Sequence, residues 1–177
     1  MRALFIPFVM AVAALAGAAS ANAAVTGCNG TGVTADNVMY GICDTDQNGG
    51  AGSVAFSSDG STARLSSRTQ RGAQQVAAFW ASNGPVAATS EICVTVHASE
   101  LTLRGAGGVD AYLVVSYNGA PQTVTGAAVD SSSSVELCSS VPADATNVFW
   151  QVQIVAGGDK PVSQVQAAVT LDSVTIV

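Results

Sequence analysis

Val148-Phe149-Trp150-Gln151-Val152-Gln153-Ile154-Val155 puts Val148, Trp150, Val152 and Ile154 on one side of an extended chain and Phe149, Gln151, Gln153 and Val155 on the other. Successive side chains of a strand point to opposite faces, so this period of two marks a half-buried strand. A second run closes the sequence. Val165, Ala167, Val169 and Leu171 keep an odd-numbered phase, and Val174 and Ile176 then keep an even one. A one-residue slip turns every later side chain to the opposite face unless a bulge absorbs it, so a β-bulge or sharp bend is expected at Asp172.

Working backwards, Glu91 to Ala98 places Ile92, Val94, Val96 and Ala98 inward and Cys93, Thr95 and His97 outward. Asp110 to Tyr117 opposes Leu113, Val115 and Tyr117 to Tyr112, Val114 and Ser116. Shorter runs hold Val54 with Phe56 and Ala63 with Leu65. The dipeptides Asn48-Gly49, Asp59-Gly60 and Asn118-Gly119 are turn signals, because these residues accept the backbone of a tight hairpin. Val25 to Tyr40 reads as a strand or a loop. Ala73 to Ala81 stays open between strand and helix: it alternates, yet it is rich in helix-favouring Ala and Gln, and Ser82-Asn83-Gly84-Pro85 ends it either way. No amphipathic helix of three turns is visible. Roughly eight to ten short strands with Gly, Pro and Asn turns predict an all-β, antiparallel β-sandwich.

Arg2, the apolar run from Ala3 to about Ala19 and the tripeptide Ala21-Asn22-Ala23 have the layout of a secretory signal peptide. Residues 1–23 are therefore expected to be removed, leaving 24–177 as one domain of a secreted, extracellular protein. The stretch Val25-Thr26-Gly27-Cys28 offers a minor alternative, a lipid anchor on Cys28. In an exported chain, four cysteines imply two disulfides with three possible connectivities. Pairing Cys28 with Cys43 would close a local loop worth about 3 kcal/mol, leaving Cys93 with Cys138. Zinc is disfavoured, since there is no CxxC pair and His97 is the single histidine.

After loss of Arg2, five basic residues face twelve acidic ones, a net charge near −7. Nucleic acid and anionic membrane surfaces are poor partners for such a chain, and its abundance of Ser, Thr, Gly and Gln suits a neutral one. The run Asp44-Thr45-Asp46-Gln47-Asn48-Gly49 has the D-x-D-x-N-G start of a calcium loop, but Ala55 stands where a helix-loop-helix site places its bidentate Glu. Asp44, Asp46 and Asn48 are calcium candidates, with Asp172 or Asp59 to supply the missing carboxylate. No Gly-x-Ser-x-Gly elbow accompanies His97, so a non-catalytic role is expected over an unusual hydrolase.

Glutamines recur within β-runs rather than turns: Gln151 with Gln153, and Gln164 with Gln166. Amides donate and accept together, which suits sugar hydroxyls, and Tyr112 or Phe149 nearby could stack on a pyranose. The order of Gly60 to Leu65 (Gly-Ser-Thr-Ala-Arg-Leu), Glu91 to Ala98, Val141 to Thr146 (Val-Pro-x-x-Ala-Thr) and the closing Val169-Thr170-Leu171-Asp172-Ser173-Val174-Thr175-Ile176 resembles jelly-roll carbohydrate-binding modules. The resemblance implies a jelly roll, glycan binding on one sheet face and a structural calcium near the last strand. The exposed tryptophans typical of that family have no counterpart in Trp150, which shares the face of Val148 and is assigned to the core. The expected function is a secreted, non-catalytic domain that binds neutral glycan through one sheet face. The alternative is a structural or adhesive protein packing against another extracellular protein.

Overall fold

Residues 28–43, 50–69, 74–87, 89–158 and 163–177 are described in this computed structural model, and among them the chain forms eleven strands and no helix. In order these are β1 (Cys28–Val33), β2 (Val38–Cys43), β3 (Gly50–Phe56), β4 (Thr62–Thr69), β5 (Gln74–Ser82), β6 (Glu91–Arg104), β7 (Gly107–Tyr117), β8 (Ala120–Ala128), β9 (Val135–Ser140), β10 (Phe149–Gly158) and β11 (Gln164–Ile176). The ambiguous Ala/Gln segment is strand β5, hydrogen-bonded to β2 on one side and β10 on the other. Ala77, Ala78, Phe79 and Trp80 are all 2% exposed or less, so both faces of β5 are buried. That burial outweighs the few tenths of a kcal/mol by which Ala and Gln favour helix.

The strands form two sheets, sheet A in the order β1-β2-β5-β10-β7-β8 and sheet B in the order β3-β4-β11-β6-β9. Sheet A's β5-β10-β7-β8 and sheet B's β4-β11-β6-β9 interleave along the chain in the eight-strand order of a jelly roll. The hairpin β1-β2 extends sheet A beyond β5, and β3 extends sheet B beyond β4. The jelly-roll expectation is thus met in the strand order itself. Asn118 and Gly119 take φ of 54° and 82° in the β7-β8 turn, as an Asn-Gly hairpin requires.

The core lies between the sheets. Trp80, Leu65, Ile92, Leu113 and Ile154 are among its largest fully buried side chains, and Trp150 joins them at 3% exposed. An aromatic cluster bridges the two layers near one edge: Tyr40 of β2 meets Phe56 of β3 at 4.8 Å between ring centroids, and Phe56 meets Trp80 edge-on at 5.8 Å.

The phase slip in the last strand is a bulge. Leu171 opposes Val96 and Ser173 opposes Thr95, which leaves Asp172 as the extra residue. A second bulge lies on the partner strand, where Ala168 opposes Glu100 and Val169 opposes Ala98, leaving Ser99 over. Leu101 therefore packs against the core out of phase with Ile92, Val94, Val96 and Ala98, and β6 continues to Arg104 where alternation had ended the strand at Ala98.

The disulfides are Cys28–Cys43 and Cys93–Cys138, each joining residues directly opposed on paired strands. The Cys28 sulfur is consumed by this bond, which corrects the alternative of a lipid thioether at that position. The expected signal segment lies outside the described residues.

Candidate functional site

On β10 the residues that do not enter the core, Phe149, Gln151, Gln153 and Val155, point to the outer face of sheet A. Cross-strand register builds rows around them. Gln153 stands between Phe79 and Tyr112, Gln151 between Ala81 and Val114, and Val155 between Ala77 and Asp110. The structure therefore brings four of the expected ligand residues together: Phe149, Gln151, Gln153 and Tyr112.

This face is not a plain solvated sheet. Cys43, Ala77, Phe79, Ala81 and Val155 form a second apolar cluster on it, with Cys28, Met39 and Tyr112 packed alongside. The Gln151 amide donates to Cys28 Sγ at 3.4 Å, although β1 is three places from β10 in the sheet order. Such a contact requires the β1 edge, with its disulfide, to curl across the face, which makes the face concave. Gly126 lies opposite Tyr112, and a Cβ there would sit 2.6 Å from the Tyr112 ring, so glycine lets the tyrosine lie down on the neighbouring strand.

Gln153 is 5% exposed, and its amide nitrogen has no hydrogen-bond partner among the described residues. A buried donor left unpaired costs about 1–3 kcal/mol, and such a group calls for an explanation. Asp110 joins the same face one row further on, half-buried, with burial raising its pKa above the ordinary carboxylate value. Asp110 was not among the expected site residues, although it precedes Tyr112 by two residues and so shares its side of the strand.

Gln164 and Gln166 lie elsewhere. Val165, Ala167 and Val169 of β11 enter the core, which turns both glutamines to the outer face of sheet B. The two glutamine pairs stand on opposite sides of the sandwich and cannot share one ligand, which corrects their grouping into one site.

The calcium candidates Asp44, Asp46 and Asn48 lie outside the described residues, between Cys43 and Gly50. Asp172 meets His97, Oδ1 to Nδ1 at 2.6 Å. Glu91 lies close to the sulfurs of Cys93 and Cys138, but the disulfide occupies both.

A cleft of about 630 Å³ opens at the Asp172 end of the sandwich, with Asp36, Asp59 and Asp172 among its polar lining and Trp150 and Leu171 among its apolar lining. Several of its polar groups have partners within the protein. Asn83 donates to Asn37, Asp172 is held by His97, and Asp59 accepts from Ser57 Oγ at 2.5 Å and from Ser61 N at 3.1 Å. Sheet A's outer face, where the buried Gln153 donor has no partner among the described residues, is the stronger candidate.

The hydroxyl of Ser57, followed by the amide and hydroxyl of Ser61, lowers the Asp59 pKa from 3.8 to about 2. A carboxylate with a depressed folded pKa adds stability that is present above its unfolded value and lost as pH falls through the folded one. Asp59→Asn is expected to melt below wild type at neutral pH. The gap should close between pH 3.8 and about 2 in an acid series of thermal melts; a gap that stayed constant would remove this role.

No protein-family model and no curated protein matches the chain. Solved structures that resemble it are carbohydrate-binding modules with the β-sandwich fold. TmCBM61 in complex with β-1,4-galactotriose gives a TM-score of 0.37 at 10% identity, covering 85% of this chain and 86% of that one. A structure described for the promiscuous specificity of carbohydrate-binding modules of the β-sandwich superfamily gives 0.45 at 11% identity, over 89% of this chain and 64% of that one. A family 11 module from Clostridium thermocellum with a β-1,3-1,4-mixed-linked tetrasaccharide gives 0.36 at 10% identity, over 76% and 88%. The jelly roll itself stands on the strand order.

Proposed function

We propose that this chain is a secreted, non-catalytic domain that binds neutral glycan on the curled outer face of sheet A. The observation that carries the reading is Gln153, whose buried amide nitrogen has no partner among the described residues in the row between Phe79 and Tyr112. Once the side chains that cover it shift aside, a sugar hydroxyl or ring oxygen accepts from that nitrogen. Gln151, half-buried on the same strand, donates to and accepts from the next hydroxyls, and Asp110, in the row of Val155, accepts from a hydroxyl on the other side of Gln153. Tyr112 and the partly exposed Phe149 offer ring faces to the apolar side of a pyranose. A neutral ligand fits because none of these groups offers it a fixed positive charge. Amide hydrogen bonds of this kind are worth about 0.5–1.5 kcal/mol each, so affinity builds from several of them with the stacked ring.

The test is a panel of neutral oligosaccharides titrated calorimetrically against wild type and the Gln151→Ala, Gln153→Ala double variant. At least one oligosaccharide is expected to bind, and the variant to lose at least about tenfold in affinity. Absence of binding across the panel, or an unchanged constant in the variant, would overturn the reading.

A further inference from the structure

Every arginine among the described residues, Arg64, Arg68 and Arg104, lies on the outer face of sheet B, in a chain whose net charge is −6. Arg64 is already engaged. It opposes Ala168, which opposes Glu100, and the small alanine lets the guanidinium reach across β11 to the carboxylate at 3.0 Å. Arg68 and Arg104 are different. Each opposes Gln164 from its own side, so the three form one row across β4, β11 and β6, and both arginines are exposed with no ion pair among the described residues. Two strand spacings set them roughly 9.6 Å apart at the backbone. The next row along, Ser66, Gln166 and Thr102, is polar and uncharged. No carboxylate stands in either row; Glu100, in the row beyond, is paired with Arg64, and the other acids of this face, Glu91, Glu136 and Asp172, lie toward the opposite end of β6 and β11.

We propose that this row binds an acidic polysaccharide, with the guanidinium of Arg68 and that of Arg104 each taking a carboxylate and Gln164 and Gln166 meeting the hydroxyls between. The arginine fork matches a carboxylate in a bidentate way that a point charge does not. The separation of the two arginines spans a short stretch of polymer rather than a single anion. A protein partner fits less well, because among the described residues this face carries no aromatic side chain to anchor an interface. Nucleic acid is disfavoured by the net charge of −6, which repels a phosphate backbone. The face is separate from the sheet A site, so the two readings stand or fall independently.

The experiment is affinity electrophoresis and calorimetry with polygalacturonate, using its fully methyl-esterified form as the uncharged control. Wild type is expected to bind the free acid and not the ester, and to weaken at least tenfold between about 50 mM and about 500 mM NaCl. Arg68→Ala with Arg104→Ala should lose at least about tenfold in affinity with a nearly unchanged melting temperature, since both side chains are exposed and neither has an ion pair among the described residues. Arg68→Lys with Arg104→Lys should retain part of the binding, and Gln151→Ala with Gln153→Ala should retain all of it. Equal binding of acid and ester, or full binding by the double alanine variant, would overturn the proposal. So would a variant whose sole change is lost self-association in sedimentation, since that result would give the face to a second copy of the chain.

Discussion

Trp80→Ala is expected to lower the unfolding free energy by about 3–5 kcal/mol, the cost of a large core truncation. Trp80 is fully buried, and it packs edge-on against Phe56 of the opposite sheet. Its indole nitrogen also donates to the carbonyl of Gly60 at 2.7 Å, which ties the β3-β4 turn down onto sheet A. Gly60 takes a φ of 76°, and a Cβ there would overlap the Tyr40 ring, so turn, tyrosine and tryptophan form one packed unit. Removing the indole leaves a cavity and orphans that carbonyl together. Trp80→Phe separates the two effects, since it keeps most of the volume and loses the donor, and should cost about 1–2 kcal/mol. Against a total stability of about 5–15 kcal/mol, the alanine variant should show a urea midpoint far below wild type while the phenylalanine variant stays near it. Equal midpoints for the two variants would show that the hydrogen bond, not the packing, matters at this position.

What could be read in the sequence was whatever a single strand reveals about its own two faces. The alternation leading through β10 named Val148, Trp150, Val152 and Ile154 correctly as core, and the slip in β11 located the Asp172 bulge to the residue. A strand pattern does not say which sheet a strand joins. Gln151 with Gln153 and Gln164 with Gln166 look alike locally, yet β10 and β11 belong to different sheets, so the same polar side faces opposite directions in the molecule. The Ser99 bulge hid the second half of β6 for a related reason: with the phase shifted, Leu101 no longer matched the alternation before it. The partnership of His97 with Asp172 depends on register across two strands 75 residues apart, which no local pattern encodes. The row of Arg68, Gln164 and Arg104 was unreadable in the same way, since its members come from three separate strands.

Gln153→Met should move stability and glycan binding in opposite directions, the second of the two largest effects expected here. Methionine keeps the length and flexibility of the side chain while removing a buried amide nitrogen that has no partner among the described residues. Replacing such a group with an apolar one relieves its desolvation cost, so the free protein should become more stable by about 1–2 kcal/mol. The neighbours suit the change, since Phe79 and Tyr112 flank the position and Val155 is buried two residues along. If the amide is kept for a sugar oxygen, the same variant should lose at least about tenfold in affinity for whichever neutral oligosaccharide wild type binds. Ligand at about a hundred times its dissociation constant stabilises a protein by roughly 2.7 kcal/mol, so melts with and without sugar report both quantities in one experiment. Wild type should melt lower alone and rise with ligand; the variant should melt higher alone and rise far less. A glutamine kept purely for packing would give a variant that loses stability and still responds to sugar, and that result would take Gln153 out of the site.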